Sequence, residues 1–84
     1  MTDTEIRAAV IRAVKRVAPE ADAATLRADV RIRDQVEIDS MDFLNFVIEL
    51  DRELGVDVPE SDYAQIETLD KAAAYLAARV TAAR

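Results

Sequence analysis

Cysteine, histidine and tryptophan are all absent from this 84-residue sequence, and it holds only one glycine and two prolines. Without cysteine, neither a disulfide nor a thiolate metal site can hold the fold. Without histidine, the commonest general base and metal ligand is gone. Carboxylates, two lysines and two tyrosines are what remain for acid–base work, which argues against an enzyme. The scarcity of glycine and proline argues against a turn-rich β architecture, and the apolar half of the composition is mostly Leu, Val, Ile and Ala, so helices are expected. Long apolar runs are missing as well. The stretch from Met1 to Arg16 mixes charges into its apolar positions, unlike a signal peptide or a membrane span, so a cytoplasmic protein is expected. No segment alternates oxygen ligands around a central glycine, which sets aside a helix–loop–helix calcium site, and no other metal site is expected. At this length a single domain, residues 1–84, is expected, with a modest core.

What is present is an uneven charge. The net charge is −6, yet residues 37–62 alone hold nine acids and one base, Arg52, while each flanking segment carries a small positive excess. Such a strip repels nucleic acid and anionic membrane and attracts a partner with a basic surface. Crowded carboxylates also predict self-repulsion that salt would relieve.

Thr2 and Glu5 have the spacing of a capping box, and Ile6, Ala9, Val10, Ala13 and Val17 recur at helical spacing up to Pro19. From Pro19 to Ile38 no period lasts, and Leu26, Val30, Ile32, Val36 and Ile38 are scattered among charges. This connection is expected to be pinned to the core by those aliphatics or to carry a short helical turn. A second long helix begins at Asp39 or Ser40 and runs to Leu54, with Gly55 as its left-handed cap. Its wheel places Met41, Leu44, Val47, Ile48 and Leu54 on one broad side, Phe43 and Leu50 at the edge, and Asp42, Asn45, Glu49, Arg52 and Glu53 opposite. Pro59 opens a brief helix over Glu60 to Ile66, and Thr68 caps a last helix that buries Leu69, Ala72, Ala73, Leu76 and Val80. The fold class is therefore all-α, a small bundle of three long helices and one short one.

Ser40, in the stretch EIDSMDFLNF, sits at a helix start between two aspartates. The plain reading is an N-cap. A nucleophile would need a base, and only Lys15 or Lys71 could supply one. A third reading is an attachment point, since a helix N-terminus tolerates a covalently bound phosphate.

From about Val30 to Val80 the sequence resembles the acyl carrier proteins. The resemblance rests on Asp39-Ser40-Met41 and the helix after it, the connection from Gly55 to Pro59, Ile66, and the Thr68-Leu69 start of the last helix. It implies that Ser40 carries a 4'-phosphopantetheine arm, transferred from coenzyme A by a phosphopantetheinyl transferase and ending in a thiol that holds acyl groups as thioesters. It implies that Asp39 helps the transferase place its magnesium ion. Phe43, Val47, Leu50, Ile66, Ala72 and Tyr75 would line an acyl chain, with plain core packing as the alternative for each. The sequence departs from the family pattern at Glu37 and Ile38, where glycine and a small residue are common, and at Asn45 and Arg52, where acids are frequent.

Asp42, Glu49 and Glu53 recur on one helical face and read either as an ordinary solvated face or as a docking surface. Phe46 beside them reads as an edge-of-core residue or an apolar partner contact, and Met41 as core packing. The expectation is a free-standing, monomeric carrier in fatty acid, polyketide or specialised lipid biosynthesis, serving enzymes with basic docking patches. The alternatives are a peptidyl or aminoacyl carrier and an unmodified acidic adaptor that binds one basic protein.

Overall fold

The computed structural model describes residues 2–82. Helix α1, Asp3–Val17, starts on a capping box in which the Glu5 amide donates to Thr2 Oγ1 (3.1 Å) and the Thr2 amide to Glu5 Oε1 (2.8 Å). It buries Ile6, Ala9, Val10, Ala13 and Val14, leaving Val17 half-buried.

The irregular connection is both pinned and partly helical. Ile32 is buried and starts α2, Ile32–Gln35, a single turn, while Leu26, Val36 and Ile38 pack partly buried against the core. The Gln35 side chain knits the segment to itself: it accepts from the Arg27 amide (2.6 Å) and donates to the carbonyls of Arg27 (2.8 Å) and Val30 (2.9 Å). Two backbone hydrogen bonds tie it to the far end of the chain, from the Ile32 amide to the Glu67 carbonyl (2.8 Å) and from the Asp70 amide to the Ala28 carbonyl (3.0 Å).

Helix α3, Ser40–Leu54, ends on Gly55, whose φ of 68° is the left-handed cap that a β-carbon would disfavour. Val56 and Val58 are buried on the way to Pro59, and a 3₁₀ helix follows over Glu60–Ile66. Helix α4, Leu69–Ala82, starts where Thr68 Oγ1 accepts from the Lys71 amide (3.0 Å). Helices α3 and α4 both pack on α1, and the 3₁₀ helix packs on α4. The fold is the expected small helical bundle, with α2 as one further turn.

One expectation about α3 needs correction. Its inner face is Phe43, Phe46, Val47 and Leu50, whereas Met41 is 65%, Leu44 42% and Ile48 50% exposed. The helix is apolar around much of its circumference, so the wheel alone does not fix which side turns inward. The side carrying both phenylalanines offers the most area, at roughly 150–250 Å² per aromatic ring, and that is the side packed in the core. Phe43 stacks at a tilt on Phe46 (centroids 5.6 Å apart) and meets Tyr63 edge-on (5.3 Å). Met41 is accordingly a surface residue and not a core one.

Candidate functional site

The N-cap of α3 is Asp39, and Ser40 is the first helical residue. Asp39 and Asp42 form a reciprocal capping box, with the Asp42 amide donating to Asp39 Oδ1 (2.8 Å) and the Asp39 amide to Asp42 Oδ2 (3.2 Å). The aspartate has taken the capping task, so the serine is left without it. Ser40 is exposed, and its hydroxyl makes no hydrogen bond to any described residue. It stands at the positive end of a 15-residue helix, where a phosphodiester is electrostatically favoured and sterically free. Of the two residues before Asp39, Ile38 is anchored against the core and Glu37 is exposed, so the approach to Ser40 is held from below.

A family profile described as "Phosphopantetheine attachment site" matches residues 6–76. The chain belongs to this family. Its cofactor is therefore a covalently attached 4'-phosphopantetheine, and the free, exposed hydroxyl at the start of α3 fits such a group. The chain is also similar to a protein of Rubrobacter xylanophilus named "Acyl carrier protein", with 26% identity over 61 residues that cover 73% of this chain and 75% of the relative. It is a carrier protein with a phosphopantetheine attachment domain. Among the described residues, no helix is long and apolar enough to cross a membrane.

The remaining residues singled out from the sequence fall into two groups. Phe43, Val47, Leu50, Ile66, Ala72 and Tyr75 are all buried in one core cluster. Tyr75 also donates its hydroxyl to Asp62 Oδ2 (2.6 Å), with Arg79 on the same carboxylate oxygen (3.2 Å) and its guanidinium 4.6 Å from the tyrosine ring centre. Burial, and then the hydrogen bond to Asp62, push the phenol above its ordinary value.

The docking candidates Asp42, Phe46, Glu49 and Glu53 are placed differently from the expectation. Phe46 is 1% exposed, so its reading as a partner contact is corrected: it is core, and a docking protein cannot reach it. Asp42 is half-buried in the capping box. Glu53 accepts from Arg12 of α1 (3.1 and 2.8 Å), and Glu49 lies between Arg16 of α1 (4.0 Å) and Arg52 (3.7 Å).

The strip of acids is thus not left without bases. Arg12, Arg16 and Arg79 come to Glu53, Glu49 and Asp62 from outside residues 37–62, which corrects the expectation of an uncompensated strip. The signal was present in α1, where Arg12 and Arg16 stand one turn apart on one face. The exposed apolar stripe of Met41, Leu44 and Ile48 was missed because the wheel had assigned it to the core.

The Arg12 guanidinium, chiefly by its hydrogen bond, holds the Glu53 carboxyl below its ordinary value of 4.5. A depressed folded-state pKa adds stability that is present above the unfolded value and lost as pH falls through the folded one. Glu53→Gln is therefore expected to lower the melting midpoint slightly at pH 7. The deficit should shrink as the pH drops below 4.5 and vanish once the wild-type carboxyl is protonated. Melts across that range check this, and a deficit that grows on acidification would contradict the pairing.

Proposed function

We propose that this is a single-domain acyl carrier protein whose arm is attached at Ser40. Its thiol would hold acyl groups as thioesters for fatty acid, polyketide or specialised lipid biosynthesis. The protein itself is then not an enzyme but a substrate of others. The observation that carries the reading is the uncommitted hydroxyl of Ser40, released from capping by Asp39 inside a chain of the attachment-site family.

In the loading step the Ser40 oxygen attacks the phosphorus of coenzyme A that bears pantetheine. A new P–O bond forms, the diphosphate P–O bond breaks, adenosine bisphosphate leaves, and the hydroxyl proton passes to a base of the transferase. Asp39 Oδ1 is committed to the capping box, which leaves its second oxygen to face the magnesium ion of that enzyme.

Docking is assigned to the exposed stripe Met41, Leu44 and Ile48, with the acids Asp51, one turn after Ile48, and Glu37, exposed ahead of the helix, neither of which has an ion-pair partner among the described residues. In this arrangement Glu49 and Glu53 hold α3 against α1, and the flanking acids meet the basic rim of the partner.

Intact mass after incubation with coenzyme A, magnesium and a broad-specificity transferase tests the attachment. The wild type should gain one phosphopantetheine and Ser40→Ala none. Addition to the alanine variant would move the site elsewhere. No addition to either protein would favour the unmodified adaptor.

A further inference from the structure

The acids on the α1 side of α3 and the arginines that accompany them are not equally exposed. The side chains of Arg12, Arg16 and Arg52 are 57%, 69% and 74% exposed, whereas those of Glu53 and Glu49 are 25% and 18%. A protein approaching this side therefore meets guanidinium before carboxylate. Lys15, exposed beside Arg16, adds a cation with no ion-pair partner among the described residues.

Arg16 and Arg52 are also lightly committed. Both lean on Glu49, at 4.0 and 3.7 Å, beyond the about 2.7–2.9 Å of a charge-assisted hydrogen bond, and neither side chain donates to any other described residue. Between them opens a cleft of about 400 Å³ whose walls include half-buried Val17 and the exposed Asn45 and Ile48. Arg52 stands one turn after Ile48, so the cleft borders the stripe of Met41, Leu44 and Ile48. At about 100° per residue, Glu49 with its arginines falls about 100° to one side of Ile48, and Asp51 about 60° to the other. The stripe thus has a cationic border toward α1 and an acidic one opposite.

We infer that the protein docking on this stripe carries carboxylates on the side that faces α1 and cations on the other, and that Arg16 and Arg52 select it. The inference rests on the docking surface proposed above and deepens that reading. The net charge of −6 disfavours nucleic acid and anionic membrane at the cationic border, which leaves a protein surface as the occupant. A carboxylate seated between Arg16 and Arg52 meets two planar guanidinium forks, each able to bind it through two parallel hydrogen bonds, with Val17 and Ile48 as apolar walls. A surface that is basic throughout would press its cations against the same two arginines and be repelled.

The probes are two amphipathic helical peptides with the same leucine stripe. One is flanked by glutamate on one side and lysine on the other, and its companion by lysine on both. Binding is followed by amide and arginine Nε–H chemical shifts in NMR at about 0.1 M salt, where a Debye length of about 10 Å mutes the general pull of a negative chain on any cation. Wild type is compared with the double variants Arg16→Ala/Arg52→Ala and Arg16→Lys/Arg52→Lys. Arg12 is kept so that Glu53 stays paired, and circular dichroism checks the fold. Vesicles of phosphatidylglycerol are the third probe.

The mixed peptide should bind wild type roughly three- to tenfold more tightly than the all-lysine one, shifting the signals of Arg16, Asn45, Ile48 and Arg52. That preference should vanish in the alanine double variant and return in part in the lysine one, which keeps the charge without the fork. Equal affinities, tighter binding of the all-lysine peptide, or no binding by either would overturn the inference. So would a preference that survives in the alanine variant, or vesicles that shift Arg16 and Arg52 where the mixed peptide does not. Intact mass after the transferase reaction, measured alongside, tests Ser40 separately: absence of mass gain would overturn attachment, and the peptide affinities would still decide this inference.

Discussion

Phe46→Ala is expected to cost about 3–5 kcal/mol of folding free energy, the usual loss when a buried aromatic ring is truncated. Phe46 is 1% exposed, tilts against Phe43 and sits in the cluster shared by all three long helices. Truncation would remove apolar contact area and leave a cavity that neighbours close only in part. Small domains have about 5–15 kcal/mol in total, so the variant should be largely unfolded by a denaturant concentration the wild type tolerates. Met41→Ala is the matching control. At 65% exposure its loss should stay within about 0.5 kcal/mol. Urea titrations of the three proteins decide the matter. Equal midpoints for Phe46→Ala and wild type, or a large loss in Met41→Ala, would show that α3 is rotated about its axis relative to the arrangement described above.

Ile48→Glu should reduce the efficiency of loading by a transferase about ten- to hundredfold, with helicity unchanged. Ile48 is 50% exposed and continues the stripe of Met41 and Leu44 along α3. A hot-spot contact near the centre of an interface is worth about 2 kcal/mol or more, and a buried carboxylate in its place would lack a partner. The loss should fall on kcat/KM and not on the mass finally reached, because the proposed attachment residue, Ser40, is untouched. Circular dichroism guards against unfolding. An Ile48→Glu protein loaded as fast as wild type would remove the stripe from the docking surface.

Both variants turn on the rotation of α3, which the sequence did not fix. Helix ends were legible because their chemistry is local: Thr2 with Glu5, Gly55, Pro59 and Thr68 each act within a few residues, and each sits where the pattern placed it. The face of α3 is a question of what it packs against. With Met41, Phe43, Leu44, Phe46, Val47, Ile48 and Leu50 spread around the axis, the wheel has no sharp minimum, and the position of α1 decides.

Charge behaved the same way. Glu53 looked unpaired along the chain because its arginine is Arg12, on the first helix. Ser40 was legible as a special residue from its motif. That Asp39 would take the capping role required knowing which of two adjacent residues begins the helix.

The two backbone bonds that tie Ile32 to Glu67 and Asp70 to Ala28 impose an order in time. While the chain is being synthesised, α1 and the segment after it emerge first, and the partners of Ala28 and Ile32 arrive only with the start of α4. Until then the loop leading to Ser40 has no far anchor, so a half-made chain offers the serine on an unsettled approach. Arrival of Glu67 to Asp70 closes that loop, and Ser40 reaches its final setting only after most of the chain has left the ribosome.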